Sequence, residues 1–236
     1  MSLDLDIGTV KNAELAGRLI LGGWASNDKL AALGHKVLKR DQYRCRGCGF
    51  QSRASKQVPS GYMVPVWVDH PGLLPLDVEQ SVCLCPVCAS SLSINWSVDP
   101  RGEKGKAARA PGMLIYCPWL TQAQVSLLGL HAISISASRK IGQSSALDAA
   151  ARDFDASVQG LNHSLGATLP IYRGKDSEFA RALSMLPEPL YKQRAQLIKH
   201  VRFWPALAYW EAHGAYWMQA SFASVHREYA ALLEDL

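Results

Sequence analysis

The sequence predicts an α+β protein in which a cysteine-rich region with short strands precedes a mostly helical region. Two Cys-x-x-Cys pairs lie in the first half of the chain, and a run rich in β-branched and aromatic residues, 62–68, lies between them. From Thr121 onwards, apolar residues recur at helical spacing. We therefore divide the chain into residues 1–118, a zinc-knuckle domain with an N-terminal arm, and residues 119–236, a helical region.

The composition is that of an ordinary globular protein, with 48% hydrophobic and 19% charged residues among 236. No apolar run approaches the ~20 residues that a membrane span needs, since even the stretch 125–137 is interrupted by Gly129 and His131. The chain starts with Met-Ser-Leu-Asp-Leu-Asp, which lacks the basic and apolar regions of a secretory signal. We therefore expect a cytoplasmic protein without a membrane span, in which cysteines stay reduced.

The cysteines form two pairs, Cys45-x-x-Cys48 and Cys85-x-x-Cys88, separated by 36 residues. Each turn lets two sulfurs face one point at ~2.3 Å, and two turns complete a tetrahedral zinc site with no open position for a substrate. The sequence therefore predicts one structural zinc ion on these four cysteines. Cys83 is an alternative to Cys85 as ligand.

The first elements follow from local patterns. Residues 1–25 have weak periodicity and predict a short strand or loop arm. Asn27 is a good N-cap for a helix that reaches Asp41, because Leu30, Leu33, Val37 and Leu38 recur at helical spacing. Residues 62–68 predict a strand interrupted by Pro65.

Beyond the second cysteine pair, Leu92, Ile94 and Trp96 alternate as in a strand. Residues 101–110 contain no large apolar side chain and predict a flexible loop. Cys117, beside Pro118 in an apolar stretch, predicts a thiol packed in the core.

The helical region opens with a strand over 113–116 and a capping box, in which Thr121 and Gln124 cap each other's backbone. Residues 162–174 predict a loop. Further helices are predicted from about Ser144, from Asp176, from Pro189 through Val201, and from Pro205 to Leu236.

The last of these helices is rich in aromatic residues, which admit two interpretations. They either pack in the core or form a docking surface, since Trp and Tyr often anchor interfaces. For a docking surface we nominate Trp210 and Trp217. The aromatic residues are Tyr209, Trp210, Tyr216, Trp217, Phe222 and Tyr229.

Positive charge is concentrated around the first cysteine pair, where residues 28–56 contain eight basic residues against two acidic ones. The whole chain carries only +5. This segment is either a solvated face, a surface for an acidic protein partner, or a phosphate-binding surface of a nucleic-acid module. No interleaved aromatic residues support single-strand binding.

Three motifs together resemble an HNH nuclease module. They are residues 39–50 (Lys-Arg-Asp-Gln-Tyr-Arg-Cys-Arg-Gly-Cys-Gly-Phe), the Asp69-His70 pair, and the second cysteine pair. The resemblance implies a ββα core framed by a four-cysteine zinc, with Asp69 as metal ligand and His70 as general base. However, the family's asparagine falls on Gln80, and Ala89 stands where a second metal-binding histidine is expected. Asp69 and His70 are therefore vestigial candidates, and we expect no enzyme; the alternative is a metal-dependent nuclease or a nucleic-acid-binding zinc module.

A narrower resemblance is to the DotN/IcmJ family of type IVB secretion systems. It is carried by the first knuckle, the Cys83-x-Cys85-x-x-Cys88 cluster and the run Leu-Ile-Tyr-x-Pro-x-Leu-Thr-Gln-Ala over 114–123. It implies a degenerate HNH-like ββα zinc core with a mostly helical C-terminal region.

The resemblance also implies a role. Family membership would make the chain a non-catalytic subunit of the cytoplasmic coupling complex, recruited to the inner membrane through the secretion complex. There it would bind the C-terminal part of the DotL-like coupling ATPase and other coupling-complex subunits, and help recruit export substrates. Nucleic acid is not an expected partner under this interpretation.

Overall fold

The computed structural model describes residues 3–100, 108–137 and 145–222. Positions 101–107 of the predicted loop, the predicted helix start at Ser144 and the aromatic Tyr229 lie outside the described residues. The helices are α1 (Ala13–Ile20), α2 (Asp28–Arg40), α3 (Pro86–Ser91), α4 (Ile94–Ser97), α5 (Gln122–Ser136), α6 (Ser145–Thr168), α7 (Asp176–Ser184), α8 (Glu188–Lys192), α9 (Arg194–Leu197) and α10 (Glu211–Ala220). The strands are β1 (Val64–Val66), β2 (Val82–Leu84), β3 (Gly112–Tyr116) and β4 (Val201–Pro205). The predicted α+β class is confirmed.

The strands form two small antiparallel sheets. Strand β1 pairs with β2, and Pro65 lies opposite Cys83 inside this pair. Strand β3 pairs with β4, and helices α5 to α9 lie between the two strands in the chain. At Gly112 a Cβ atom would collide with the backbone and side chains of β4, so the close approach of the strands requires glycine. The β3–β4 pair crosses the predicted domain boundary at residues 118 and 119, which stays a prediction.

The predicted strand or loop arm over residues 1–25 is wrong for its second half, which contains helix α1. The side chain of Asn12 caps this helix by accepting a hydrogen bond from the Leu15 N–H at 2.9 Å. Leu19 and Ile20 are buried, and Gly17 lies directly against the indole of Trp96. The helix is only eight residues long, too short for its periodicity to stand out in the sequence. The predicted helix after Asn27 is confirmed as α2.

The predicted strand over Leu92, Ile94 and Trp96 is also wrong, because this stretch follows α3 and contains the single turn of α4. Buried serine hydroxyls compete here for backbone groups: Ser91 Oγ donates to the Cys88 carbonyl and Ser97 Oγ to the Ser90 carbonyl, both at 2.8 Å. Small serines also allow the two short helices to pack closely. Leu92, Ile94 and Trp96 alternate in the sequence because the short helix α4 and the residues before it are buried on more than one side, not because they form a strand.

Two polar residues of the second region contact the backbone of β3 instead of marking a loop or a cap. Helix α6 continues through the predicted loop to Thr168, and Asn162 Nδ2 donates to the Leu114 carbonyl at 2.7 Å. Asp176 lies in the first turn of α7, whose N-cap is Lys175. Its carboxylate accepts from the Leu114 N–H at 2.8 Å. The polar side chains that predicted a loop and a cap instead satisfy the N–H and carbonyl groups at the free edge of strand β3.

The prolines of this region have mixed outcomes. Pro189 lies in the first turn of α8, as predicted. The predicted helix through Val201 is wrong, because α9 ends at Leu197 and Val201 begins β4. Pro205 ends that strand instead of starting a helix. Long-range pairing with β3, which no local pattern encodes, decides this segment.

The described aromatic residues of the last segment are buried in the core or, for Tyr209 and Tyr216, half-buried against it. Trp210 and Trp217 are each 0% exposed, so the interpretation of these residues as a docking surface is wrong. The indole of Trp210 donates to the Pro111 carbonyl at 2.8 Å, and that of Trp217 to the Gly61 carbonyl at 3.2 Å. The ring of Trp217 also meets that of Phe50, with centroids 5.4 Å apart. Helix α10 therefore fastens the helical region to the chain around the first cysteine pair.

Candidate metal centre

The first cysteine pair lies directly after helix α2, on a tight reversal of the chain. Gln42 and Tyr43 have positive φ values of 55° and 54°, and Gly49 has one of 80°, so the backbone turns sharply on both sides of the pair. The Cys45 N–H donates to the Phe50 carbonyl at 2.7 Å, and the Gly49 N–H to the Cys45 carbonyl at 2.9 Å. These two bonds close the knuckle turn and place its sulfurs on one side of the reversal.

The second pair lies between strand β2 and helix α3. Cys85 is the N-cap of α3, and its sulfur accepts from the Cys88 N–H at 3.4 Å. Pro86 occupies the first turn, where its missing N–H costs no hydrogen bond. Cys85 is therefore fixed by the start of the helix and its sulfur faces the first pair.

The four sulfurs of Cys45, Cys48, Cys85 and Cys88, the cysteine cluster, all lie within 4.8 Å of one another. The Cys48 and Cys85 sulfurs are 3.8 Å apart. A disulfide requires ~2.05 Å, whereas a tetrahedral ion with ~2.3 Å bonds places its sulfur ligands ~3.8 Å apart. The cluster could therefore hold a metal ion such as zinc, with the donor set that zinc prefers.

The electrostatics of the cluster also fit a cation. Burial raises the pKa of the Cys85 thiol well above its usual value, and the three neighbouring sulfurs raise it further. Burial also opposes ionisation of Cys45, but hydrogen bonds from the other three thiols outweigh it and lower the pKa of Cys45. One thiolate thus suppresses the others, and four thiolates in this space require a bound cation to compensate their charge.

The other two cysteines lie outside the cluster. Cys83 is fully buried, but its sulfur does not join the four, so the alternative of Cys83 in place of Cys85 is wrong. Cys117 is 2% exposed and packs in the core, as predicted.

An ion pair between the buried Asp41 and the partly exposed Arg40, which the sequence analysis did not single out, ties the two knuckles together. The Asp41 carboxylate accepts two hydrogen bonds from the Arg40 guanidinium, each at 3.0 Å, and one from the Cys83 N–H at 2.8 Å. The same guanidinium donates to the Val78 and Ser81 carbonyls. The end of helix α2 is thereby fixed to strand β2 and the segment that precedes it. In the sequence, the one indication of this ion pair was that Arg40 and Asp41 are adjacent at the end of a predicted helix.

The Asp69-His70 pair lies in a turn after β1, apart from the cysteine cluster. Asp69 is exposed and His70 half-buried. The Nδ1 atom of His70 accepts from the N–H groups of Gly72 at 3.1 Å and Leu74 at 3.2 Å. Across residues 3–100, 108–137 and 145–222, the cysteine cluster is the one group of three or more His, Cys, Asp or Glu side chains with metal-ligand spacing. No third ligand therefore joins Asp69 and His70 in this part of the chain.

The turn also forms one wall of a cleft of about 600 Å³. Tyr191 and Arg194 form another part of its wall, as do residues 8–11 of the N-terminal arm. The Tyr191 hydroxyl donates to the Thr9 carbonyl at 2.8 Å and accepts from the Thr9 N–H at 2.7 Å, so this wall is firmly attached to the arm.

None of the helices in the described ranges is both long and apolar enough to cross a membrane.

No protein-family model matches the chain. A curated relative is the type 4 apparatus protein DotN of Legionella pneumophila (strain Philadelphia 1), which is 25% identical over 191 residues. The matched region covers 77% of this chain and 82% of DotN. With the clustered cysteines and the first-knuckle and 114–123 motifs, this similarity supports the predicted resemblance to the DotN/IcmJ family.

Proposed function

We propose that this chain is a component of a Dot/Icm type IVB secretion apparatus and acts there as a non-catalytic, zinc-stabilised adaptor. It binds the C-terminal part of a coupling ATPase, joins other coupling-complex subunits on the cytoplasmic side of the inner membrane, and helps recruit export substrates. The observation that carries the proposal is the closed four-cysteine cluster in a chain similar over most of its length to a type 4 apparatus protein.

In this role the metal is structural. Zinc held by Cys45, Cys48, Cys85 and Cys88 cross-links two knuckles that are distant in sequence, and its binding free energy becomes folding free energy. With four thiolates around it, the ion keeps no position for substrate or water. The HNH-like character of the core is part of the same proposal, supported by the succession of β1, the Asp69-His70 turn, β2 and α3.

The state of His70 supports a role without catalysis. Because Nδ1 accepts two main-chain N–H groups, the ring carries its proton on Nε2 in the neutral form. Neither nitrogen then offers a lone pair to a water molecule or a metal ion. His70 is thus better suited to holding the turn than to acting as the general base of the alternative, a metal-dependent nuclease.

The main test is capture of the partner. The full-length chain, purified with its metal, should co-elute in size-exclusion chromatography with the C-terminal region of a coupling ATPase encoded in the same bacterium. Separate elution at concentrations well above micromolar would refute the adaptor role.

The nuclease alternative has its own test. Plasmid nicking with Mg²⁺ or Mn²⁺ should be absent from both the wild type and the His70→Ala variant. Cleavage by the wild type that disappears in His70→Ala would establish the alternative instead.

A further inference from the structure

Six basic side chains surround the first knuckle, and we call them the knuckle face: Lys36, Lys39, Arg44, Arg46, Arg53 and Lys56. Five of the six are exposed and Arg46 is half-buried. Lys36 and Lys39 are one turn apart on α2 and therefore share its surface. The knuckle follows that helix directly.

The knuckle itself directs two of its arginines to one side. Arg44 and Gln51 are paired in an antiparallel bridge. In both extended segments burial alternates, since the neighbours Cys45 and Ser52 are buried. Arg46 already belongs to the knuckle turn, but Gln51 to Arg53 is extended, and side chains two positions apart in an extended segment point the same way. Arg44, paired with Gln51, and Arg53 therefore lie on the side opposite the buried residues. Arg44 and Arg53 thus contribute their charges to the same side of the knuckle.

The charges of this face are available for a partner. Arg40, which lies beside it, is used internally by Asp41 and two carbonyl groups. The other ion pairs among the described residues belong to helices α6, α7 and α8, or to the residue before α7. In that part of the chain no carboxylate forms an ion pair with any side chain of the knuckle face.

The face exposes basic side chains but no large hydrophobic ones. None of the large exposed hydrophobic residues lies between positions 28 and 60, and Phe50 is only 4% exposed. Two tyrosines lie beside the face, Tyr43 next to Arg44 and Tyr216 bonded to the Arg53 carbonyl, but both are half-buried. The face therefore presents no fully exposed ring on which nucleic-acid bases could stack and no exposed apolar side chain to insert into a membrane. Arginine forks on a rigid turn suit carboxylates, which they bind with two parallel hydrogen bonds.

We propose that the knuckle face is the docking surface for an acidic polypeptide segment, with glutamate and aspartate side chains seated on Arg44 and Arg53. This inference rests on the proposed adaptor function and names the chemical class of the segment bound there. The rest of the chain carries a formal charge of −1 when residues 28–56 are set apart from the total of +5, so the attraction is local to this face.

The experiment compares two charge-reversed variants of the metal-loaded, full-length chain. Arg44→Glu/Arg53→Glu alters the face, and Arg173→Glu/Arg181→Glu is the matched control, because both of its arginines are exposed and distant in sequence. The probe is a labelled synthetic peptide in which glutamate alternates with alanine and leucine; a glutamine version controls for charge. Metal content and thermal unfolding verify that each variant is folded, and Arg44→Gln/Arg53→Gln replaces the first variant if it is not.

The wild type should bind the glutamate peptide and not the glutamine peptide, with an affinity that falls as salt is raised. The face variant should lose about tenfold or more in affinity, and the control variant about twofold at most. Equal affinities for the two charge-reversed variants would overturn the proposal. So would tighter binding of the wild type to vesicles rich in phosphatidylglycerol, or to duplex DNA, than to the peptide.

The same variants separate this inference from the adaptor function. If the coupling-ATPase region binds wild type and face variant equally, the inference fails and the adaptor function stands. If the ATPase region does not bind at all while the peptides still distinguish the variants, the adaptor function fails and the acidic-segment site stands.

Discussion

Strands β1 and β2 pair three residues each, whereas β3 and β4 pair five each and are flanked by helices α5 and α6. A two-stranded sheet is at best marginally stable by itself. The helical region supplements its sheet with packed aromatic rings and with polar side chains that bond to β3. The chain around the knuckles also buries apolar side chains, and the four sulfurs and the Arg40–Asp41 ion pair add connections between its two knuckles. We infer that the knuckles depend on a metal in addition to apolar packing and that the helical region depends on packing alone, and the following predictions test this contrast.

Loss of a cluster sulfur should have the largest effect. Cys88→Ala removes one ligand of four, and because structural zinc contributes on the order of 10 kcal/mol in small zinc modules, we expect the knuckles to unfold. The measurement is zinc content per chain, combined with thermal unfolding. Cys117→Ala, at a buried thiol outside the cluster, is the matched control and should keep its metal. A Cys88→Ala protein with one zinc per chain and an unchanged transition would contradict the metal-dependent view.

Trp217→Ala should destabilise the protein without removing the metal. The side chain is fully buried between Phe50 and Tyr62, and its indole bonds to Gly61, so truncation leaves a cavity and an unpaired carbonyl. We expect a loss of about 3–5 kcal/mol in the free energy of unfolding, measured with urea. Trp119→Ala, at a residue 65% exposed, should change it by less than about 0.5 kcal/mol. Loss of zinc from Trp217→Ala at a temperature below its unfolding transition would show that the two regions are not separately stabilised.

Acid should weaken the same aromatic junction through His213. Burial lowers the pKa of this imidazole to about 4, and its Nδ1 atom has no hydrogen-bond partner among the described residues. Since its pKa in the unfolded chain is near 6.5, the unfolded state binds the proton first as pH falls, and stability is lost between about pH 6.5 and pH 4. The full difference corresponds to about 3 kcal/mol.

The check is urea unfolding of wild type and His213→Leu at neutral and mildly acidic pH. Acid release of zinc should affect both proteins alike. The variant should nevertheless lose less stability on acidification, because it lacks the imidazole that becomes protonated on unfolding. Parallel losses in the two proteins would show that His213 does not carry the effect.

The cysteine pairs, the α2 cap at Asn27 and the capping box at Thr121 were predictable because each is a local pattern with one physical meaning. The errors fall where distant contacts override local preference. Strand β4 forms because it pairs with β3. Asn162 is tolerated inside helix α6 because its side-chain amide donates a hydrogen bond to the Leu114 carbonyl. The cluster itself was predictable from spacing, whereas its support by Arg40 and Asp41 was not, since no spacing rule links these residues to Cys83.

That support gives the last and smallest expected effect. Asp41→Asn keeps the size of the side chain but removes the charge that the Arg40 guanidinium binds, and the Asn oxygen can still accept from the Cys83 N–H. Because Arg40 is partly exposed, solvent moderates the cost, and we expect a loss of about 2 kcal/mol rather than the 3–5 of a fully buried pair. Zinc should stay bound but exchange faster with a chelator, since the second knuckle is held less firmly to helix α2. Lys36→Gln, at an exposed cation on the same helix, is the control and should leave both stability and exchange unchanged. If Asp41→Asn exchanged zinc at the wild-type rate, the ion pair would be a feature of the helix end alone, and the metal would hold the two knuckles without its help.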